Sequence, residues 1–382
     1  MKHVFIVGSK GIPAQYGGFE TFVENLTKGK QSEDIAYHVS CMDNSKKTFI
    51  HNDAECFNVC VPFPGAPGRI FHMGLVLQSV MKWAKEHLKE EVVVYILGCR
   101  VGPLLIPFRY ALHSQGIKIY CNPDGLEWKR SKWNALAKRF LHFCEKCLVE
   151  NSDFVVCDSM TIEKYIKTTY KNKVNSTTFI AYGANIEKSI CDEKKLEQWY
   201  AKYDIKKNNY YLIVGRFVPE NNYETMITEF MKSRTKKNLV IITNVEKNKF
   251  YNELLNRTHF DKDERIKFVG TVYDSELLKK IREEAYAYIH GHEVGGTNPS
   301  LLEALASTKL NLLLQVGFNK EVGGKTALYW DKTPGSLSEL INRTEQTDDQ
   351  KILELDKKST ERIKNNYNWD KICKSYESIF LQ

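Results

Sequence analysis

The sequence predicts an α/β protein of two tandem units, each a parallel sheet covered by helices. Short apolar runs rich in Val, Ile and Tyr alternate with helical patterns from the first residue onward. The alternation restarts at Tyr211-Leu212-Ile213-Val214-Gly215-Arg216, a second buried strand running into a glycine. A length of 382 residues is also more than one hydrophobic core usually serves.

In the first unit, strands are expected at Val4–Val7, Val92–Leu97, Ile117–Tyr120, Phe154–Cys157 and Thr178–Ala181, with helices at Thr21–Leu26 and Ile162–Tyr170. In the second, strands fall at Tyr211–Val214, Leu239–Thr243, Ile266–Val269, Ala287–His290 and Leu310–Gln315, with helices at Glu224–Phe230 and Ser275–Glu284. The join lies near Tyr182–Asn185, before a charged segment, Glu187–Lys207, whose apolar periodicity weakens and which reads as a hinge. Trp369, Ile372, Cys373, Tyr376 and Phe380 recur at helical spacing and predict a docking helix. The expected boundaries are residues 1–183 and 184–365, with a helix over about 366–382 returning to the first unit.

Composition narrows the classes. No apolar run approaches the roughly 18 to 20 residues of a membrane-spanning helix, and Met1–Gly8 reads as a strand into a turn, too soon interrupted for a signal peptide, so a cytosolic chain is expected. The ten cysteines sit mostly inside apolar patterns and read as reduced core thiols. Cys144 and Cys147 form a C-x-x-C without a second pair at zinc-ligand spacing, and no Asp-x-Asp motif is visible, so no metal is expected. Net charge is +8, with an excess of +6 through Asn185 and +2 in the remainder. Such a surplus suits nucleic acid, an anionic membrane face or a phosphorylated acceptor; no RNP-like or G-X-X-G module supports RNA.

The most informative segment is His290-Gly291-His292-Glu293-Val294-Gly295-Gly296-Thr297-Asn298-Pro299-Ser300-Leu301-Leu302-Glu303-Ala304-Leu305. Asn298 or Thr297 serves as N-cap, Pro299 suits the first helical position, and Leu301, Leu302 and Leu305 give the helix an apolar face. Gly295 and Gly296 allow close approach of an anion to helix-start amides, and Glu303, one turn in, is placed to accept from a sugar hydroxyl. Arg216, after a strand, suits bidentate phosphate binding. The first strand exits through Gly8-Ser9-Lys10-Gly11-Ile12-Pro13-Ala14-Gln15-Tyr16-Gly17-Gly18, too long and Pro-interrupted for a dinucleotide fingerprint or a P-loop. Gly17 and Gly18 there offer either a second anion-receptive helix start or a flexible loop.

Asp124, just past the strand Ile117–Tyr120, is the leading candidate for a catalytic carboxylate, with Glu127 as alternate and Glu20 behind it; an Asx turn before Gly125 is the structural alternative. Between Trp128 and Phe140 the chain holds five cations (Lys129, Arg130, Lys132, Lys138, Arg139) and no acid, interleaved with Trp128 and Trp133. That pattern suits a membrane surface or an acceptor phosphate, or else a solvated helix face.

Taken together, the two tandem units, the Gly-Gly loop, Val-Gly-Arg-Phe-Val-Pro-Glu and Gly-Gly-Thr-Asn-Pro-Ser-Leu-Leu-Glu-Ala resemble family 4 retaining glycosyltransferases of GT-B fold, in which two Rossmann-like domains face a central cleft. Gly-Ile-Pro-Ala-Gln-Tyr-Gly-Gly-Phe-Glu-Thr and Asn-Pro-Asp-Gly-Leu-Glu-Trp-Lys-Arg-Ser-Lys-Trp are similar to streptococcal capsular and cell-wall β-1,4-rhamnosyltransferases. The resemblance implies dTDP-L-rhamnose as donor, a lipid-diphosphate-linked glucose or N-acetylglucosamine as acceptor, no metal or other cofactor, no nucleic-acid partner, and peripheral attachment to the cytoplasmic membrane face. It places Glu303 on the ribose, Gly296, Thr297, Asn298 and Ser300 on the diphosphate, and Arg216 as phosphate clamp. This chain departs from the wider pattern at Gly295, where a glutamate is usual, and after Arg216, where Pro219-Glu220-Asn221-Asn222 replaces a lysine; Glu293, His292 or backbone amides are the expected substitutes at the donor sugar. The rivals are another nucleotide sugar, a nucleotide-sugar epimerase on the same scaffold, and a non-enzymatic nucleotide-sugar-binding scaffold.

Overall fold

The computed structural model describes residues 1–382 apart from 15, 16, 44, 46, 62, 64, 246 and 247, so Gln15 and Tyr16 of the glycine loop lie outside the described residues. Contacts divide the chain into two compact units, Met1–Gly183 with Trp369–Gln382, and Ala184–Asn368.

The first unit holds β1 (Lys2–Val7), β2 (Ile35–Met42), β3 (Thr48–His51), β4 (Ala54–Val59), β5 (Glu91–Leu97), β6 (Lys118–Asn122), β7 (Phe154–Cys157) and β8 (Thr177–Phe179), in the order β3-β4-β2-β1-β5-β6-β7-β8. All pairings are parallel except β3 with β4. Val92–Leu97 of β5 are all buried, the unbroken apolar run that a strand covered on both faces requires. One face is closed by the helices Gly65–Glu86, Gly102–His113, Ala135–Glu150 and Met160–Tyr170, which share a core built on Val94, Ile96, Ile119 and Val155.

The other face carries the helix Gly18–Lys28 and the helix Trp369–Phe380. Their aromatics interlock over the sheet. Tyr376 lies 5.0 Å from Phe22 and accepts the Tyr95 hydroxyl at 3.2 Å, and Phe380 lies 5.5 Å from Tyr95 and 6.3 Å from Tyr37, ring to ring. Two glycines make room for this helix. A Cβ on Gly29 would stand 2.6 Å from the Cys373 sulfur, and one on Gly183 2.6 Å from the Trp369 ring. Glu377 accepts the Gln31 amide at 2.7 Å, tying the helix end to the loop before β2.

The second unit holds β9 (Tyr210–Val214), β10 (Asn238–Ile242), β11 (Ile266–Gly270), β12 (Ala287–His290), β13 (Asn311–Leu314) and β14 (Leu328–Trp330), all parallel in the order β11-β10-β9-β12-β13-β14. From β9 the chain proceeds toward one edge and from β12 toward the other, so the carboxyl ends of this central pair form the topological switch point where doubly wound sheets bind ligands. The hinge expected at Glu187–Lys207 is instead largely helical: Asp192 caps a helix over Glu193–Tyr203, and its few apolar residues, Leu196 and Trp199, are buried against β9 and β10 neighbours. With so thin an apolar stripe, the charged face masked the period.

Truncating Phe380, which is fully buried, is expected to leave a cavity costing about 3–5 kcal/mol. Urea denaturation of Phe380→Ala followed by tyrosine and tryptophan fluorescence should show a lowered transition for the first unit.

Candidate functional site

In the second unit, the loops leaving β9 and β12 are stitched together at the switch point. Asn222 donates its carboxamide to the Gly291 carbonyl at 2.8 Å and to Glu293 Oε2 at 3.2 Å. Asn221 donates to the Arg216 carbonyl at 2.7 Å, which leaves its oxygen to accept from His292 Nδ1 at 2.8 Å. The Glu293 amide donates to the Glu220 carbonyl. The Pro219–Asn222 segment, noticed in sequence only as a missing lysine, is therefore the brace of the loop. A cation does stand nearby: Lys332 Nζ lies 2.6 Å from Glu293 Oε2.

Asn298 is the N-cap of the helix Pro299–Ser307, and its Oδ1 accepts from the amides of Ser300 at 2.9 Å and Leu301 at 3.3 Å. Those two helix-start amides are therefore held by the cap. Gly295, Gly296 and Thr297 are buried. Gly295 has φ +143°, and a Cβ there would stand 2.9 Å from His292 Nε2. The imidazole edge thus occupies the space that a side chain at position 295 would enter.

Glu303 is held at 2.6 Å by Arg282 Nη2, from a guanidinium only 4% exposed that also donates to Ser300 Oγ at 3.3 Å. Ser300 Oγ in turn donates to the Val214 carbonyl and meets the Tyr288 hydroxyl, so this side chain faces the sheet. Arg282 was not foreseen; it sits on the helix Ser275–Glu283, twenty-one residues before its partner, with no local pattern linking them. Arg216 is exposed beyond the carboxyl end of β9, and among the described residues its guanidinium makes no ion pair. Exposed cation, oriented carboxylate and glycine loop thus all belong to the ends of adjacent strands.

In the first unit, Asn122 ends β6 and its Oδ1 accepts the Asp124 amide at 2.9 Å, while Asp124, at φ +67°, accepts the Gly125 amide at 2.8 Å. The turn is thus an Asx turn, and Oδ2 of Asp124 is left 3.9 Å from Arg130 Nη2. Glu127 is a different object. It is buried and gripped by Arg100 Nη2 at 2.8 Å, Arg130 Nε at 2.5 Å, Lys132 Nζ at 3.1 Å and the Trp133 indole at 3.2 Å. Burial works to raise its pKa, but the charges of Arg130 and Lys132 and the hydrogen bonds outweigh it, so the carboxyl stays below its ordinary value. A carboxylate ionised at neutral pH and surrounded by donors is suited to hold its neighbours in place rather than to accept a proton.

The same cluster redraws the basic stretch. Arg130 is buried against Glu127, Lys132 and Trp133 also reach Glu127 although Lys132 stays exposed, and Lys129, likewise exposed, lies 5.3 Å over the Trp128 ring. Arg139 is exposed and Lys138 half-buried on the next helix. Gly17 caps the helix Gly18–Lys28 at φ +135°, and its place beside the Glu20 carboxylate leaves no room for a Cβ. Glu20 also accepts the Lys10 amide at 2.8 Å. A carboxylate already faces this helix start, so Gly17 and Gly18 form a poorer anion site than expected. Cys144 and Cys147 are buried thiols with raised pKa, that of Cys144 pushed up to about 11 by burial. Among the described residues no three His, Cys, Asp or Glu side chains gather where they could hold a metal ion, and no helix is long and apolar enough to cross a membrane.

Since Glu127 titrates lower folded than unfolded, its contribution to stability is present above the unfolded value near pH 4.5 and fades as pH falls through the depressed one. Glu127→Gln should cost about 3 kcal/mol at neutral pH by weakening the balance of the buried Arg130. The difference from the parent chain, read from urea midpoints, should narrow in acid.

Residues 1–185 match the domain family described as "Domain of unknown function (DUF1972)". A protein of Methanocaldococcus jannaschii described as an uncharacterized glycosyltransferase is 27% identical over 246 residues, 62% of this chain and 60% of that protein, so the chain aligns with less than two thirds of its length. Sucrose-phosphate synthase from Thermosynechococcus elongatus superposes with TM-score 0.80 at 16% identity, covering 100% of this chain and 98% of that one. The Anabaena HepE protein in complex with UDP and glucose gives TM-score 0.72 at 13% identity and 99% of both chains, and the E. coli trehalose-6-phosphate structure bound with UDP-2-fluoro glucose gives 0.74 at 12%, covering 100% and 99%. The strand order, the switch-point loops and these full-length superpositions identify the fold: the chain is a GT-B protein of two Rossmann-like units, the first of which matches the DUF1972 domain family.

Proposed function

We propose that this chain is a glycosyltransferase that moves L-rhamnose from dTDP-L-rhamnose to a lipid-diphosphate-linked sugar, glucose or N-acetylglucosamine, with retention of configuration and without a metal. The observation that carries the transferase reading is the second unit's switch point, where Arg216, the Gly291–Asn298 loop and the Arg282-held Glu303 meet at the ends of β9 and β12. The glycosyltransferase description of the archaeal relative and the UDP ligands named for the structural neighbours support a nucleotide-sugar donor. The rhamnosyl donor, the β-1,4 linkage, the acceptor and a role in capsule or cell-wall polysaccharide rest on the sequence resemblance, as does residence on the cytoplasmic face of the membrane.

In this mechanism Glu303, aimed by Arg282, accepts a ribose hydroxyl, and Arg216 with the loop amides stabilises the leaving diphosphate in the role a metal fills elsewhere. Because Gly295–Thr297 are buried and Asn298 holds the helix-start amides, uptake of the diphosphate requires the loop to turn its amides outward. His292 and Glu293, braced by Asn221 and Asn222, contact the donor sugar. Asp124 orients the acceptor hydroxyl, and the leaving phosphate accepts its proton on the same face.

Incubation with dTDP-L-rhamnose in EDTA, with and without lipid-diphosphate-linked glucose, should give a rhamnosylated lipid only when acceptor is present. Epimerised free donor, or binding without turnover, overturns the reading. Asp124→Asn should abolish transfer while donor binding, followed by calorimetry, persists. Glu303→Ala removes a charged acceptor and should raise the donor KM by about ten- to a hundredfold, the equivalent of about 1.5–3 kcal/mol, with kcat little changed.

A further inference from the structure

Of the residues expected to face a membrane, Arg130, Lys132 and Trp133 are engaged by Glu127, and the surface with the required chemistry lies on the next helix, which carries Arg139. On Ala135–Glu150, Leu136, Phe140 and Phe143 are 77%, 50% and 51% exposed and recur at i, i+4 and i+7, a single apolar stripe facing solvent. At 100° per residue, Arg139 and Lys146 lie along one border of that stripe, and both are exposed. The helix Gly102–His113, packed beside it, adds Ile106 and Tyr110, 55% and 84% exposed.

Beyond the cationic border lies a groove of about 600 Å³ between this helix and the end of Met160–Tyr170, lined by Arg139, His142, Phe143, Lys146, Lys171 and Lys173 among others. Its walls are tied together from beneath, where the hydroxyls of Tyr165 and Tyr170 both donate to buried Glu145 at 2.7 Å. Its one acid at the rim, Glu150, is paired with Lys173 at 3.2 Å, which leaves Arg139, Lys146 and Lys171 as the net charge. From Val92 to Pro123 the chain has no acidic residue, and from Trp128 to Val149 its one acid is the buried Glu145.

Exposed aromatics bordered by cations, beside a pocket that accepts an anion, match the interface of a negatively charged bilayer: apolar side chains enter at the headgroup level while phosphates meet Lys and Arg. A second copy of this chain fits less well, because a two-fold contact on this face would bring Arg139, Lys146 and Lys171 against their own likes. We propose that the outward face of Ala135–Glu150 docks on an anionic phospholipid bilayer, with Leu136, Phe140 and Phe143 in the interface and a lipid phosphate in the Arg139–Lys146–Lys171 groove. This deepens the lipid-linked-acceptor reading by naming the surface that would bring the enzyme to its acceptor, and it rests on that reading only for its purpose.

The full chain is sedimented with vesicles of phosphatidylcholine alone and with an equal mixture of phosphatidylcholine and phosphatidylglycerol, in low and high salt. Binding is expected to the mixed vesicles, weakened by salt, with about a fivefold loss for each cation removed in Lys146→Ala and Lys171→Ala. Phe140→Ser with Phe143→Ser should release most of the bound chain, and because these side chains are exposed the variants should keep the parent circular dichroism spectrum. Equal binding to neutral vesicles, absence of binding to the mixed ones, or parent-like binding by the variants overturns the proposal. So does displacement by millimolar inorganic phosphate with salt-matched controls unaffected, which would make the groove a free-phosphate site, or sedimentation without vesicles that the Phe variants abolish, which would make the stripe a self-association face. Neither donor nor acceptor is present, so a chain that fails here leaves the transferase reading standing, and one that docks without transferring sugar leaves this one standing.

Discussion

A parallel strand cannot turn back on its neighbour, so at its carboxyl end the backbone must find partners in whatever loop follows. In the second unit three asparagines meet that requirement. Asn222 takes the Gly291 carbonyl, Asn221 takes that of Arg216, and the fully buried Asn319 donates to both His292 and Leu314. The amide is well suited because it donates and accepts with one short side chain. These bonds hold the two loops at the ends of β9 and β12, with Arg216 turned to solvent and His292 seated against Gly295, while Glu303 is held separately by Arg282.

The first unit meets the same requirement with charge. Asn122 and Asp124 close their own turn, and the chain then buries Glu127 among two guanidiniums, an ammonium and an indole. A buried carboxylate is tolerable only with such company, and the company comes at the expense of the surface. Of the cations that look like a membrane patch in the sequence, Arg130 is withdrawn into the protein and Lys132 is tied to Glu127, and the exposed positive face is carried on by Arg139 and Lys146 of the next helix.

The fold was largely legible because parallel strands buried on both faces are continuous apolar runs, as at Val92–Leu97 and Tyr211–Val214, and glycines mark their exits. The strand Ile35–Met42 escaped notice because its buried positions include His38 and Ser40, whose polarity breaks the run. The helix Glu193–Tyr203 escaped because two buried side chains suffice to dock it. At the site, local grammar could be read: Asn298 as cap, Pro299 behind it, Glu303 one turn on. Tertiary partners could not. Nothing near Glu303 announces Arg282, nothing near Glu127 announces Arg100, and the direction in which Arg130 and Lys132 point is set by a carboxylate that sequence reading had assigned a different task.

The helix Trp369–Phe380 also fixes a sequence of events during synthesis. It supplies Tyr376 and Phe380 to the aromatic layer on the first sheet, yet it is translated only after all of Ala184–Asn368. While the second unit is being made, Tyr37 and Tyr95 of the sheet and Phe22 of the helix Gly18–Lys28 lack the partner that packs on them, because it has not left the ribosome. The emerging chain therefore has an interval in which an apolar, strand-rich surface is open, and its passage through that interval depends on how fast the later half is made and what shields the earlier half meanwhile.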